Sequence, residues 1–277
     1  MKIGLNGHHK AFGVVTSDLQ VASQFELVFW ETKDVNGVWH QPLPNHIPMV
    51  CSFADNRLAK AHPEWIQHGA DGQLATRNNK FFNYEWLCPS EPLVRELAFK
   101  WIRNACSSCA SRHVRLDNVC FAREGYCNCI RCKSQCSVAG IPVTQYREKI
   151  ITDFVVDCRK LIDGKLYLTV YPDPYPGHLL NRFGMQVSQL KQIVDGFIVP
   201  IFDTAYGTTY WLETIAKGFQ DLFGDHTWYI ELYGEGIEQS RLLKAAQVAH
   251  EYAKGVLIAY ATDIDMVKSI ERELAVT

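Results

Sequence analysis

Two acidic residues and a knot of thiols are the parts of this sequence equipped for chemistry. Asp117 closes the run His113-Val-Arg-Leu-Asp117, whose alternation of polar and apolar side chains reads as a strand. Arg115 shares its face, and a neighbouring guanidinium would keep the carboxylate ionised, as a nucleophile or an electrostatic stabiliser requires. Glu231 lies on the polar face of a second such run, Thr227-Trp-Tyr-Ile-Glu-Leu-Tyr233. Two carboxylates facing each other across a cleft are what glycosidic bond cleavage needs. One protonates the leaving oxygen; the other attacks the anomeric carbon or activates water. Asp203, at the end of Val-Pro-Ile-Phe-Asp, competes with Glu231 for the acid/base role, although its parity partners Val199 and Ile201 are apolar.

The thiols are Cys127, Cys129 and Cys132, three within six residues. Packing alone gives no reason for that spacing, whereas a tetrahedral structural zinc does, given a fourth ligand. Cys88 and Cys136 are the two candidates. The opening MKIGLNGHHK has no apolar core and does not read as a signal peptide, so the ten cysteines are expected in a reducing cytoplasm, where a tight cluster points to metal rather than disulfides. Cys106-Ser-Ser-Cys109 lacks a partner pair and reads as structural.

These groups need a scaffold that converges them. Strand-like runs at residues 2–6, 25–32, 48–55, 113–118, 166–171, 197–203, 227–233 and 256–262 alternate with helical stripes. The stripes are Val94, Leu97, Trp101 and Ile102; Ile151, Phe154, Val155, Cys158 and Ile162; Trp211, Ile215, Phe219 and Leu222; and Ile264, Val267, Ile270 and Leu274. Eight strands alternating with helices over 277 residues predict a single (β/α)8 TIM barrel spanning the chain, with long loops after strands 2, 3 and 4. Residues 33–45 read as loop, and residues 56–89 as an irregular stretch before a helix. The polar sets His113, Arg115 and Asp117; Tyr167, Thr169, Tyr171 and Asp173; and Thr227, Tyr229, Glu231 and Tyr233 are expected to face the barrel interior, with their apolar complements under the helices. Carboxyl ends of barrel strands are where active sites form.

A sugar site also needs stacking rings and hydroxyl partners. His8, Trp30, Asp55, Arg115, Tyr171 and Asp173 are the expected substrate-binding residues, with Glu31 another strand-end carboxylate suited to a hydroxyl. Trp39, Trp65, Tyr175, Tyr206, Tyr233 and His9 fall near the same rim. With 28 basic and 30 acidic residues the surface is nearly balanced, which favours neither nucleic acid nor an anionic membrane. No apolar run is long enough to span a bilayer. The expected partner is a small carbohydrate, and homo-oligomerisation is left open.

One stretch resembles known families. His62-Pro-Glu-Trp65, Asp71-Gly72, Cys88-Pro89, Pro92-x-x-Arg95, Arg115-Leu-Asp117 and Cys127-Asn-Cys129-x-x-Cys132 follow one another as in poorly characterised glycoside-hydrolase-like TIM-barrel families. The series is also distantly similar to the zinc-carrying TIM-barrel beta-galactosidases. It covers residues 62–132, about a quarter of the chain. The resemblance implies a barrel, zinc on Cys88, Cys127, Cys129 and Cys132, and Asp117 as a catalytic carboxylate. It also shows a departure: those beta-galactosidases end strand four in Asn-Glu, the Glu being the acid, where this chain has Asn118-Val119. Asp117 is therefore expected to act with Glu231, or with Asp203 as in alpha-galactosidase-like barrels. The rivals are a barrel that binds a carbohydrate or metabolite without cleaving it and, more weakly, a zinc hydrolase, since an all-thiolate site is usually closed.

Overall fold

The computed structural model describes residues 10–276. Eight parallel strands close into a barrel in sequence order: β1 (Ala11–Thr16), β2 (Val28–Lys33), β3 (Ile47–Cys51), β4 (Val114–Asp117), β5 (Leu166–Thr169), β6 (Gly196–Pro200), β7 (Trp228–Tyr233) and β8 (Gly255–Ala259). The fold is the expected (β/α)8 barrel. The run at residues 2–6 lies outside the described residues, and the first barrel strand is one the sequence pattern did not single out. A glycine interrupts it: a Cβ at Gly13 would lie 2.5 Å from the Leu27 carbonyl oxygen, so the close approach of β1 to the chain entering β2 excludes any side chain there.

The connections follow their composition. No helix separates β2 from β3, and residues 52–91 hold only the short helix Asn56–Ala61 and a 3-10 turn at Pro63–Trp65. The major outer helices are Pro92–Ser108, Val143–Lys160, Tyr210–Phe223, Gln239–Tyr252 and Ile264–Val276. On Tyr210–Phe223 the buried stripe differs from the expected one. Leu212, Ala216, Phe219 and Phe223 face the barrel, whereas Trp211 is 67% exposed and Leu222 is on the solvent side. Trp211 sits in the first turn, and small Ala216 lets the next turn approach the sheet.

Two apolar layers result. The larger lies between strands and helices and includes Val14, Val50, Leu116, Leu168, Phe197, Ile230 and Ile258. The second fills the barrel with Val15, Phe29, Ile47, Met49, Tyr167, Ile198, Leu257 and Ala259. Phe29, Tyr167 and Tyr229 plug its lower half edge to face, with Phe29 and Tyr167 centroids 5.3 Å apart at 88°. The plug fits because a strand partner of each tyrosine is glycine. A Cβ on Gly255 would stand 2.8 Å from the Tyr229 ring and 2.4 Å from the Ala11 carbonyl oxygen. Above this plug, the barrel carries a cavity at the carboxyl ends of its strands. Among the described residues, no helix is long and apolar enough to cross a membrane.

Candidate active site

Above the plug the interior turns polar. Alternation along β4 and β7 brings Arg115 and Glu231 inward, both 2% exposed, with Arg115 Nη2 2.5 Å from Glu231 Oε2. Arg115 Nε donates to Thr169 Oγ1 at 2.9 Å, and its guanidinium lies over the Phe29 ring. Burial pushes the Glu231 carboxyl above its ordinary value; Arg115 opposes the rise and Asp117 adds to it. The expected pairing of Arg115 with Asp117 is thus replaced by an ion pair with Glu231, which forms the floor of a cavity of about 500 Å³. Arg115 Nη1 is buried in that floor and has no hydrogen-bond partner among the described residues.

Asp117 stands one inward step higher, half-buried at the end of β4. The next residue, Asn118, takes φ of 52°, a left-handed conformation that Asn tolerates better than most side chains. The turn aims the Asn118 amide back, so that Nδ2 donates to Asp117 Oδ2 at 2.8 Å and reaches Cys51 Sγ at 3.2 Å. Tyr84 donates to Asn118 Oδ1 at 3.0 Å, and its hydroxyl lies 3.2 Å from that of Tyr171. Asp117 is thereby fixed by a hydrogen-bonded chain drawn from three loops. Cys51 and Cys120 also line the cavity, and burial pushes the Cys51 thiol up to about 12, leaving it inert as a nucleophile.

Glu31 completes the acidic group. On β2 the inward parity belongs to Phe29 and Glu31, and Glu31 lines the same cavity as Asp117 and Glu231. Burial raises its carboxyl from 4.5 to about 7; a hydrogen bond from Tyr260 opposes this, and the charges of Asp34, Asp117 and Glu231 reinforce it. Tyr260 donates to Glu31 Oε1 at 3.2 Å from a left-handed backbone with φ of 61°. A non-glycine residue held there stores strain, a feature common at functional sites. Tyr84, Tyr171, Phe202 and Tyr260 give the cavity aromatic walls.

The other expected residues are distributed differently. Trp30 is 3% exposed on the outer face of β2, its indole donating to the Gln41 carbonyl at 3.1 Å, so parity takes it away from the cavity. Asp55 is buried beside Lys33 at 3.0 Å and caps the helix Asn56–Ala61. Asp173 binds His178 Nδ1 at 3.1 Å and pairs with Arg182. Asp203 is exposed, and its Oδ1 accepts from the Ala205 amide at 2.9 Å; its neighbour Phe202 lines the cavity instead. His8 and His9 lie outside the described residues. Tyr171 and Arg115 do line the cavity, as do Glu231 and Asp117. Tyr206 is structural, buried and bridging the Ile201 carbonyl and the Tyr233 amide. Trp65 stacks on His62 at 3.8 Å.

The four thiols of Cys88, Cys127, Cys129 and Cys132 are buried, and their sulfur atoms lie within 4.8 Å of one another. Cys88 Sγ is 3.5 Å from Cys132 Sγ and 3.9 Å from Cys129 Sγ. A tetrahedral zinc with Zn–S bonds of ~2.3 Å sets its sulfurs ~3.8 Å apart, so the donor set fits that ion. Backbone amides of His68 and Cys129 point at Cys127 Sγ at 3.4 Å, as suits sulfur carrying negative charge. Cys136 stays apart, with its thiol 3.1 Å from the Ile141 carbonyl oxygen. The cluster can therefore hold a metal ion that ties the loop after β3 to the loop after β4. Cys106 and Cys109 are free thiols directed at the Arg112 and His46 carbonyls.

Solved structures with this fold include glycoside hydrolases. The glycoside hydrolase domain of PgaB from Bordetella bronchiseptica matches with a TM-score of 0.64 and 11% identity, over 83% of this chain and 74% of that one. Alpha-L-fucosidase isoenzyme 2 from Paenibacillus thiaminolyticus matches with a TM-score of 0.66 and 13% identity over 93% of this chain, which spans 44% of the fucosidase. A beta-N-acetylhexosaminidase matches with a TM-score of 0.52 and 11% identity, over 97% of this chain and 70% of that one. Identities this low establish the shared barrel fold alone. No protein-family model matches the chain, and none of the curated proteins does.

Proposed function

We propose that this protein is a glycoside hydrolase with Asp117 and Glu31 as its working carboxylates. The observation that carries the reading is the meeting of Glu31, Asp117 and Glu231 in one aromatic-walled cavity at the open end of the barrel, with Glu31 raised to about 7. Near neutral pH a carboxyl so placed still holds a proton to deliver to a leaving glycosidic oxygen. Asp117, oriented by Asn118, supplies the negative charge that meets the developing oxocarbenium ion, as nucleophile or as base to water. Glu231, expected from its inward parity on β7 to be the acid/base, serves in this reading as the buried partner of Arg115, and their pair supplies a fixed dipole beneath the sugar. Arg115 Nη1 offers a donor to a sugar hydroxyl. Asp203, exposed and bonded to its own turn, has no part in the reaction proposed.

The metal, zinc in this proposal, is structural: four thiolates close its coordination, and its work is to brace the loops that carry Tyr84 and Asn118. A screen of aryl-glycosides against wild type and Asp117→Asn tests the proposal. Turnover by the wild type that disappears in the variant supports it. Tight sugar binding with no turnover by either protein would instead mark a binding barrel.

A further inference from the structure

A second cavity, about 150 Å³, adjoins the first. The two share Asn83, Tyr84 and Tyr171 as lining, and the two shared tyrosine hydroxyls lie 3.2 Å apart. The second cavity lacks the acidic side chains of the first. Its lining holds Arg123 and Arg182 and no acidic side chain. Arg182 is paired with Asp173, but Arg123 has no ion pair among the described residues. The Arg123 guanidinium lies over the Phe81 ring, 3.6 Å from its centroid, with the ring itself 54% exposed. A guanidinium held against a ring without a carboxylate partner has N–H donors to offer a planar or tetrahedral anion.

We propose that this slot is a subsite for an anionic sugar, taking the carboxylate of a uronic acid or the ester of a sulfated sugar, so that the barrel acts on acidic glycans. The proposal rests on the hydrolase reading of the main cavity and names its substrate class. The charge pattern sorts the sugars. The Asp117 carboxylate would repel an anionic substituent from the main cavity, whereas one sugar along the chain Arg123 would attract it. The exposed Phe81 and the edge of Tyr171, which lines both cavities, supply apolar surface for the ring that carries the charge.

Calorimetry tests this with paired probes: oligosaccharides ending in glucuronate or galacturonate, sulfated oligosaccharides, and the neutral counterpart of each. Asp117→Asn protein is titrated first, then the double variants that add Arg123→Gln or Phe81→Ala. The acidic member of at least one pair is expected to bind about tenfold or more tightly than its neutral counterpart at low salt, and the preference should shrink to about twofold or less without Arg123. Uronate and sulfate arms tell which anion is meant. Should no acidic probe outbind its neutral partner, or should the preference survive both substitutions in proteins with unchanged melting temperature, the subsite is wrong. Acidic glycans bound through Arg123 but never cleaved by the wild type would keep the subsite and remove the hydrolase.

Discussion

Replacing Glu31 by Gln should make the protein more stable and less active, and the gain in stability should depend on pH. Folding holds the Glu31 carboxyl at about 7 against an ordinary 4.5. Below pH 4.5 the group is protonated in both folded and unfolded chains and costs nothing. Between pH 4.5 and 7 the unfolded chain releases the proton while the folded chain retains it, so stability falls as pH rises, and above 7 the loss is complete. That interval, at ~1.4 kcal/mol per pH unit, gives about 3 kcal/mol, reduced to about 2–3 kcal/mol because one side of the cavity is open to solvent. Glutamine keeps the shape and can still accept from Tyr260, but never charges. Urea unfolding of wild type and Glu31→Gln at pH 4 and pH 8 measures the effect. The variant should gain about 2–3 kcal/mol over wild type on going from the lower to the higher pH. An equal difference at both values would show that Glu31 is not held protonated, and the acid assignment would fail with it.

Other outcomes follow from the same geometry. Activity of the wild type should decline as pH rises through about 7, when Glu31 loses its proton. Asp117→Asn should cut turnover by at least ~10²-fold, and any residual activity should show its alkaline limb at lower pH, because one of the charges that raises Glu31 is gone. Arg115→Met should destabilise by about 3–5 kcal/mol in chemical denaturation by stranding the buried Glu231; adding Glu231→Leu should recover much of that loss. Elemental analysis of native protein should find about one zinc per chain, lost in Cys129→Ser together with a lowered melting temperature, whereas Cys136→Ser should retain the metal.

The barrel was legible because seven of its strands carry clean alternation or short apolar runs between helical stripes. Its first strand was not, since Gly13 breaks the pattern and residues 2–6 carry a similar one. The thiol cluster could be read from spacing, but spacing alone left Cys88 and Cys136 open; only the family resemblance favoured Cys88, which the fold brings into contact across 41 positions. The same limit explains the carboxylates. Alternation assigns Glu31 and Trp30 to opposite faces without saying which face is inward, and the aromatic was the more conspicuous candidate. Phe29, apolar yet interior, obscured the signal by making both faces of β2 hydrophobic. Likewise, the sequence put Arg115 near Asp117 but had no means of showing that Glu231 would claim the guanidinium.

Leaving-group dependence tests the carboxylate pair most directly. Initial rates are compared for wild type, Glu31→Gln and Asp117→Asn on an aryl-glycoside that needs protonation to depart and on its dinitrophenyl counterpart, which does not. If the account holds, Glu31→Gln fails on the first and still cleaves the second, while Asp117→Asn fails on both. Wild-type cleavage that survives in Asp117→Asn, or that Glu31→Gln loses equally on both glycosides, would contradict it.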